Sequence, residues 1–334
     1  MNNRLTKTLS LLGLKFIVRI IKIIRGEDRR NQLFILVKSL VFPLLAIVVF
    51  LAFWSFFAAR IDTSLGRIPG PKEVYNAAGI LLQESLQERA KKEEFYKIQE
   101  TQVRRDSKIQ PEKREYVGSP TYFDQIFTSL KTVFTGFILA SLIAVPIGLL
   151  CGLNKGLMLA INPLIQIFKP ISPLAWLPIV TIVISSVYLN NDGYFQKSFI
   201  ISSVTVSLCS LWPTLINTAI GVDGINPDYL NLAKAFKLST GKKIKKIILP
   251  ATLPFIFAGL RISLGIGWMV LIATEMLAQN PGLGKFIWDE FQNGSSTSLA
   301  KIMVAILTIG IIGFILDRCM LLLQQLVGYS NNQS

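Results

Sequence analysis

NPDYLNLAKAFKLSTGKKIKKIILP, residues 226–250, is the one long polar and basic segment between two hydrophobic spans in the second half of the chain. It carries Lys234, Lys237, Lys242, Lys243, Lys245 and Lys246 against a single acid, Asp228. Lys and Arg near span ends stay on the cytoplasmic side, so the segment is predicted to lie inside. Pro227 followed by Asp228 suits the first turn of a helix, where a missing N–H costs nothing and an acid meets the positive end of the dipole. From there a helix over 228–238 is predicted, with Tyr229, Ala233 and Phe236 on one face and Lys234 and Lys237 on another. A short amphipathic helix with an aromatic knob fits a groove on a partner. A solvated basic loop that anchors topology accounts for the same pattern.

The neighbouring spans set the class. Hydrophobic residues make up 51% of the 334, and charged residues only 16%. The charges are segregated: residues 39–59, 132–154, 170–191 and 198–222 contain none. Each run reaches the ~20 residues that cross a bilayer as helix. The expected fold is therefore all-α and polytopic, with about six transmembrane helices by this length rule. The net charge of +15 lies mainly in the first thirty residues and in 226–250. Membrane topology accounts for it, and no nucleic-acid partner is expected. Cys151, Cys209 and Cys319 sit in apolar runs and read as small core residues. The chain has no histidine, which removes the commonest general base and metal ligand. No catalytic or metal site is expected.

In chain order, residues 1–32 read as a cytoplasmic amphipathic segment, with Lys15, Arg19 and Lys22 on one face suited to an anionic leaflet. The first span follows at 33–59. Residues 60–125 read as an extracytoplasmic segment with a charged helix-like run from 72 to 106. Over 83–118 nine basic and eight acidic residues nearly cancel, which suits either a docking surface or a solvated spacer. A turn at Asn154-Lys155-Gly156 returns the second span. The stretch INPLIQIFKPISPLAWLPIV that follows holds Pro163, Pro170, Pro173 and Pro178, too many for one regular helix. A broken helix at membrane depth points to a translocation path. A short interfacial helix before an ordinary span is the alternative. Six spans place both termini and 226–250 on the cytoplasmic side.

The candidate path residues are Lys169, Trp176, Arg261, Trp268 and Glu275. As helix, Lys169 and Arg261 stand roughly 16–20 Å from the inner end and share a depth at which two cations lower the cost of holding an anion. Snorkelling to the interface is the alternative. Arg261, Gly265, Trp268, Ile272 and Glu275 form one stripe, either a pore lining or a packed seam. Glu275 is about 21 Å from Arg261, too far to pair with it. It is expected to order the outer loop, through Lys285.

The end of the quoted stretch resembles permease subunits of bacterial ABC importers, whose last cytoplasmic loop carries Glu-Ala-Ala-x3-Gly-x9-Ile-x-Leu-Pro. Ile247, Leu249, Pro250 and Ala233 match; Asn231, Leu232 and Lys237 replace the Glu, the first Ala and the Gly. PISPLAWLPI, LWPTLINTAIGV, PATLPFIFAGLRISLGIGWMVLIATEML and GKFIWDEFQN resemble the nitrate/bicarbonate branch of the nitrate–sulfonate–bicarbonate importers. The resemblance implies a type I importer permease fold over residues 126–327. Asp228, Tyr229, Ala233, Lys234, Phe236, Lys237, Leu238 and Ser239 would then couple to an ATPase within a loop spanning 223–250. It also implies two ABC ATPase subunits that use ATP-Mg, a second permease copy, an extracytoplasmic solute-binding protein and a bacterial plasma-membrane location. The chain contains no Gly-x4-Gly-Lys-Ser/Thr phosphate loop. The implied cargo is nitrate, with bicarbonate or a sulfonate such as taurine as alternatives. The rival class is an ATP-independent anion channel.

Overall fold

A computed structural model describes residues 29–63, 66–105, 116–188 and 196–331. Residues 1–28 of the predicted N-terminal amphipathic segment and most of the turn expected at 190–196 lie outside these residues. The elements are α1 (Arg29–Ala58), a two-residue hairpin β1 (Asp62–Thr63) and β2 (Gly66–Arg67), α2 (Pro71–Arg105), α3 (Tyr122–Leu153), α4 (Lys155–Phe168), α5 (Pro173–Val187), α6 (Lys197–Asp223), α7 (Pro227–Ala235), α8 (Thr240–Lys243), α9 (Leu249–Ala278), α10 (Leu283–Asn293) and α11 (Ser296–Asn331). A π turn, Ile244–Ile248, joins α8 to α9. Among the described residues five helices are long and apolar enough to cross a membrane, or six when the bent pair α4–α5 is one span. That agrees with the six expected.

α6 is the axis of the bundle, packed between α3 and α9. Its sequence explains why: its buried positions include Ser202, Ser203, Thr205, Ser210, Thr214, Thr218 and Gly221, small residues that let neighbouring backbones come close. On α3, Gly136, Gly148 and Gly152 meet it; a Cβ at Gly148 would lie 2.7 Å from the Leu215 carbonyl oxygen. Several of these buried hydroxyls bond within their own helix, as Thr218 Oγ1 does to the Thr214 carbonyl at 2.7 Å, Thr214 Oγ1 pairs across to Ser263 Oγ at 2.7 Å, and Ser202 Oγ is left without a partner. α1 is the opposite case. Phe34, Phe42, Leu44, Val48 and Phe53 are all exposed, which suits a helix surrounded by lipid. Trp54 ties its C-terminal end down by donating to the Pro69 carbonyl at 3.1 Å.

The charged run after α1 is one 35-residue helix, α2. Its first turns are part of the fold: Val74, Ala77 and Leu81 pack on Phe286, Ala300 and Val304 of α10 and α11. Lys301 adds an ion pair to Glu84 at 3.0 Å. The far half of α2 is largely exposed and is met by the returning chain at Tyr116, whose hydroxyl donates to Glu88 at 2.7 Å. That hydrogen bond holds the Glu88 carboxyl below its usual range and raises the Tyr116 phenol. α3 starts at Tyr122, inside the stretch expected outside, because Thr121 and Asp124 form a reciprocal capping box there.

Candidate functional site

The proline-rich stretch is broken, as expected. α4 and α5 meet at 101° across residues 169–172. Lys169 caps the end of α4, and Ser172 caps α5 by accepting from the Leu174 amide at 3.3 Å. Depth follows from packing. Ile165 of α4 lies in a cluster with Ala140, Ala144, Leu211 and Leu215. Leu211 stands twelve residues before the end of α6 at Asp223. At 1.5 Å per residue this is about 18 Å along the helix, in the middle of a ~30 Å hydrocarbon core. α5 then runs on to the far side, where Leu177 and Val180 meet Ile201. The break is therefore level with the middle of α6.

Aromatic rings gather at this break. Phe168 lies 5.8 Å from Trp176 and 6.3 Å from Trp212, nearly parallel to the latter at 4°. Both indole Nε1 atoms are buried and have no hydrogen-bond partner. Two donors left this way each cost about 1–3 kcal/mol, which an acceptor arriving between the helices recovers. Lys169 is exposed and in no ion pair among the described residues. Trp212 was not singled out in the sequence, since its distance from Phe168 is set only by the packing of α4 on α6.

The second candidate cation has a different environment. Arg261 on α9 forms a two-pronged pair with Asp317 on α11, Nε to Oδ1 at 2.7 Å and Nη2 to Oδ2 at 2.9 Å. Trp268, two steps along the same stripe, donates to the Ile309 carbonyl at 3.0 Å and rests on Gly313. Arg261, Gly265, Trp268, Gly313 and Asp317 line a cavity of about 230 Å3. Of the two readings of the stripe, these contacts are those of a seam between α9 and α11. Arg261 is not a free cation beside Lys169, because Asp317 neutralises it.

Glu275, near the C-terminal end of α9, is fully buried. Its oxygens accept from Ser129 Oγ at 2.9 and 2.8 Å and from the Gly284 amide at 2.9 Å. Ser129 Oγ accepts in turn from the Leu283 amide at 2.9 Å. Glu275 thus bonds to the loop after α9 through the Gly284 N–H and, by way of Ser129, the Leu283 N–H. Lys285, the expected route, pairs with Asp289 at 2.6 Å instead. Two glycines make the approach possible: a Cβ at Gly282 would lie 2.1 Å from Glu275 Oε1, and one at Gly284 2.3 Å from the Ile272 carbonyl oxygen.

In the loop at 223–250, α7 starts at Pro227, and Asn226 Oδ1 accepts from the Asp228 amide at 2.9 Å. The helix ends at Ala235, three residues short of the predicted Leu238. Lys237 stops it by adopting a left-handed backbone, φ 47°. The Leu238 amide then bonds back to the Ala233 carbonyl at 3.0 Å. The exposed row is Tyr229, Leu232 and Phe236, at 57%, 52% and 74%. Ala233 does not share it: at 2% exposure it faces inward, because the chain returns over that side of α7 as the π turn. Lys234 lies within α7, Asp228 and Lys237 are exposed, Leu238 is half-buried, and Ser239 immediately precedes α8 without a side-chain capping bond. Ile225 and Ile248, buried with Val222, fasten both ends of the loop to the bundle.

The family described as binding-protein-dependent transport system inner membrane component matches residues 144–329. A nitrate import permease protein, NrtB, of Synechococcus elongatus is 37% identical over 194 residues, 58% of this chain and 66% of that one. A bicarbonate transport system permease protein, CmpB, of the same organism is 38% identical over 204 residues, 61% and 68% of the two chains. The match thus spans about two thirds of these relatives' length. The methionine ABC transporter MetNI in an inward-facing form superposes with a TM-score of 0.52 at 15% identity, covering 62% of this chain and 95% of that one. At that identity the likeness concerns the fold alone, an all-α multi-pass membrane fold.

Proposed function

This chain belongs to the family of binding-protein-dependent transport system inner membrane components, and from that premise we propose that it is the membrane-spanning subunit of an ATP-driven importer of nitrate. Two ABC ATPase subunits would use ATP-Mg and dock on the loop at 223–250. A second copy of the permease would complete the pore, and a solute-binding protein would deliver the anion from outside. In this reading both termini face the cytoplasm of a bacterial cell.

The observation that carries the reading is the break beside the middle of α6. An anion crossing a low-dielectric layer needs positive potential without a trap. Lys169, the start of α5 and the two unpartnered indole donors supply that around one bend. Coupling would be mechanical. ATPase closure carries α7 through the row Tyr229, Leu232 and Phe236. α6 and α9, fastened to the loop by Val222, Ile225 and Ile248, tilt with it. The Arg261–Asp317 pair makes α11 follow α9.

Uptake of labelled nitrate into proteoliposomes holding the permease, its ATPase and its binding protein tests this, with unlabelled bicarbonate and taurine as competitors. ATP-dependent nitrate uptake, abolished by Phe236→Ala at unchanged expression and lowered at least tenfold by Lys169→Ala, is expected. Uptake without ATP would move the chain to the channel class. Wild-type rates in both variants would refute the assigned roles. The 38% identity to a bicarbonate permease supports bicarbonate as a second reading. Competition by bicarbonate but not by taurine would select it.

A further inference from the structure

A second cavity, of about 330 Å3, lies where α3, α4 and α6 meet at one membrane boundary. Its floor is Cys151 and Ala219, both buried, beside the close contact of Gly152 with Val222. Leu159 and Ile220, 74% and 53% exposed, form a rim open to the side. Lys155 and Asp223 stand at the mouth. Leu153 ends α3 and Asp223 ends α6, so both charged side chains sit where the hydrocarbon gives way to headgroups. Neither is in an ion pair among the described residues.

We propose that this groove holds one phosphatidylethanolamine molecule of the bilayer, its phosphate on Lys155, its ammonium on Asp223 and the upper part of an acyl chain against Cys151, Met158 and Ala219. The shape alone asks for an apolar occupant, since water gains few partners on such walls. The charge pattern selects the headgroup. A cation and an anion at one mouth suit a zwitterion, and Asp223 repels a purely anionic phosphatidylglycerol. A primary ammonium also donates hydrogen bonds to the carboxylate, which the quaternary ammonium of phosphatidylcholine cannot do. The site is separate from the bend at Lys169 and does not depend on which anion is carried. A lipid bound there bridges the turn at Asn154 to the end of α6, the helix that enters the coupling loop.

The test is native mass spectrometry of the full-length permease released from nanodiscs of equal parts phosphatidylethanolamine, phosphatidylglycerol and phosphatidylcholine. Wild-type protein should retain the ethanolamine lipid about threefold to fivefold over either competitor, the range one boundary ion pair supplies. Asp223→Lys should turn the preference to phosphatidylglycerol, and Asp223→Asn should abolish the distinction between the two zwitterions. Ile220→Trp, which fills the mouth from an exposed position, should remove the bound lipid while leaving the fold intact. Equal retention of all three lipids by the wild type, or a headgroup ratio unchanged by Asp223→Lys, would overturn the proposal. So would a photo-crosslinker at position 220 that captures another protein chain, and no lipid, in the intact complex.

Discussion

Replacing Lys237 with glycine should strengthen the loop that α7 belongs to. Lys237 has φ 47°, and its conformation lets the Leu238 amide bond to the Ala233 carbonyl at 3.0 Å. This is the arrangement of a helix end in which the residue just past the helix is left-handed, the place that glycine favours. A side chain there costs roughly 1–2 kcal/mol, from the approach of Cβ to the following carbonyl. Glycine removes that cost but loses about 0.5–1 kcal/mol more chain entropy on ordering. The net expectation is a gain of about 0.5–1 kcal/mol in the opening free energy of this turn. Valine, stiff at χ1 and branched at Cβ, should cost about another 1 kcal/mol relative to lysine. Lys237 is exposed, so neither change alters packing elsewhere. Amide hydrogen exchange reads the opening directly. In lipid nanodiscs the Leu238 amide should exchange up to about fivefold more slowly in Lys237→Gly and about fivefold faster in Lys237→Val. Unchanged or reversed exchange in this pair would refute the assignment of a strained helix stop. A gain confined to residues far from 233–239 would refute it equally.

Removing Arg261 or Asp317 singly leaves a charge without its partner at the α9–α11 seam, so each single alanine variant should melt lower than the Arg261→Ala, Asp317→Ala double variant in a thermal scan. Gly282→Ala forces a methyl group against Glu275 Oε1 and should destabilise the loop between α9 and α10 by about 1–3 kcal/mol, visible as faster exchange of the Leu283 and Gly284 amides. Because Tyr116 lowers the Glu88 pKa, that contact stabilises the returning chain above the ordinary carboxylate range and is lost as pH falls through the lowered value. In Tyr116→Phe the Glu88 carboxyl should titrate at higher pH, as read by carboxyl carbon NMR of the labelled protein.

Much of this architecture was legible in advance because the signals were local. Charge-free runs of span length, the turn at Asn154 and the Pro227-Asp228 helix start each depend on residues within one or two turns of each other. The break after Phe168 was equally legible, since prolines act on their own backbone. Its place beside the middle of α6 was not, because that came from Ile165 meeting Leu211. The end of α7 was misplaced for a related reason. Nothing in the run Lys234 to Leu238 forbids another helical turn. The stop comes from the left-handed Lys237, at the position where the resembling pattern carries glycine.

By itself the sequence determined that this is a polytopic helical membrane protein with a basic loop before its penultimate span. The cost of placing a segment in hydrocarbon is summed residue by residue along that segment, so a linear reading suffices. Only the tertiary structure decided what each intramembrane polar group does. Arg261 finds Asp317 56 residues away and Glu275 finds Ser129 146 residues away. Ala233 turns inward because the chain returns across it. Such pairings depend on which helix faces meet. That is set by small residues along α3, α6 and α9 acting together, and no local window along the chain contains them.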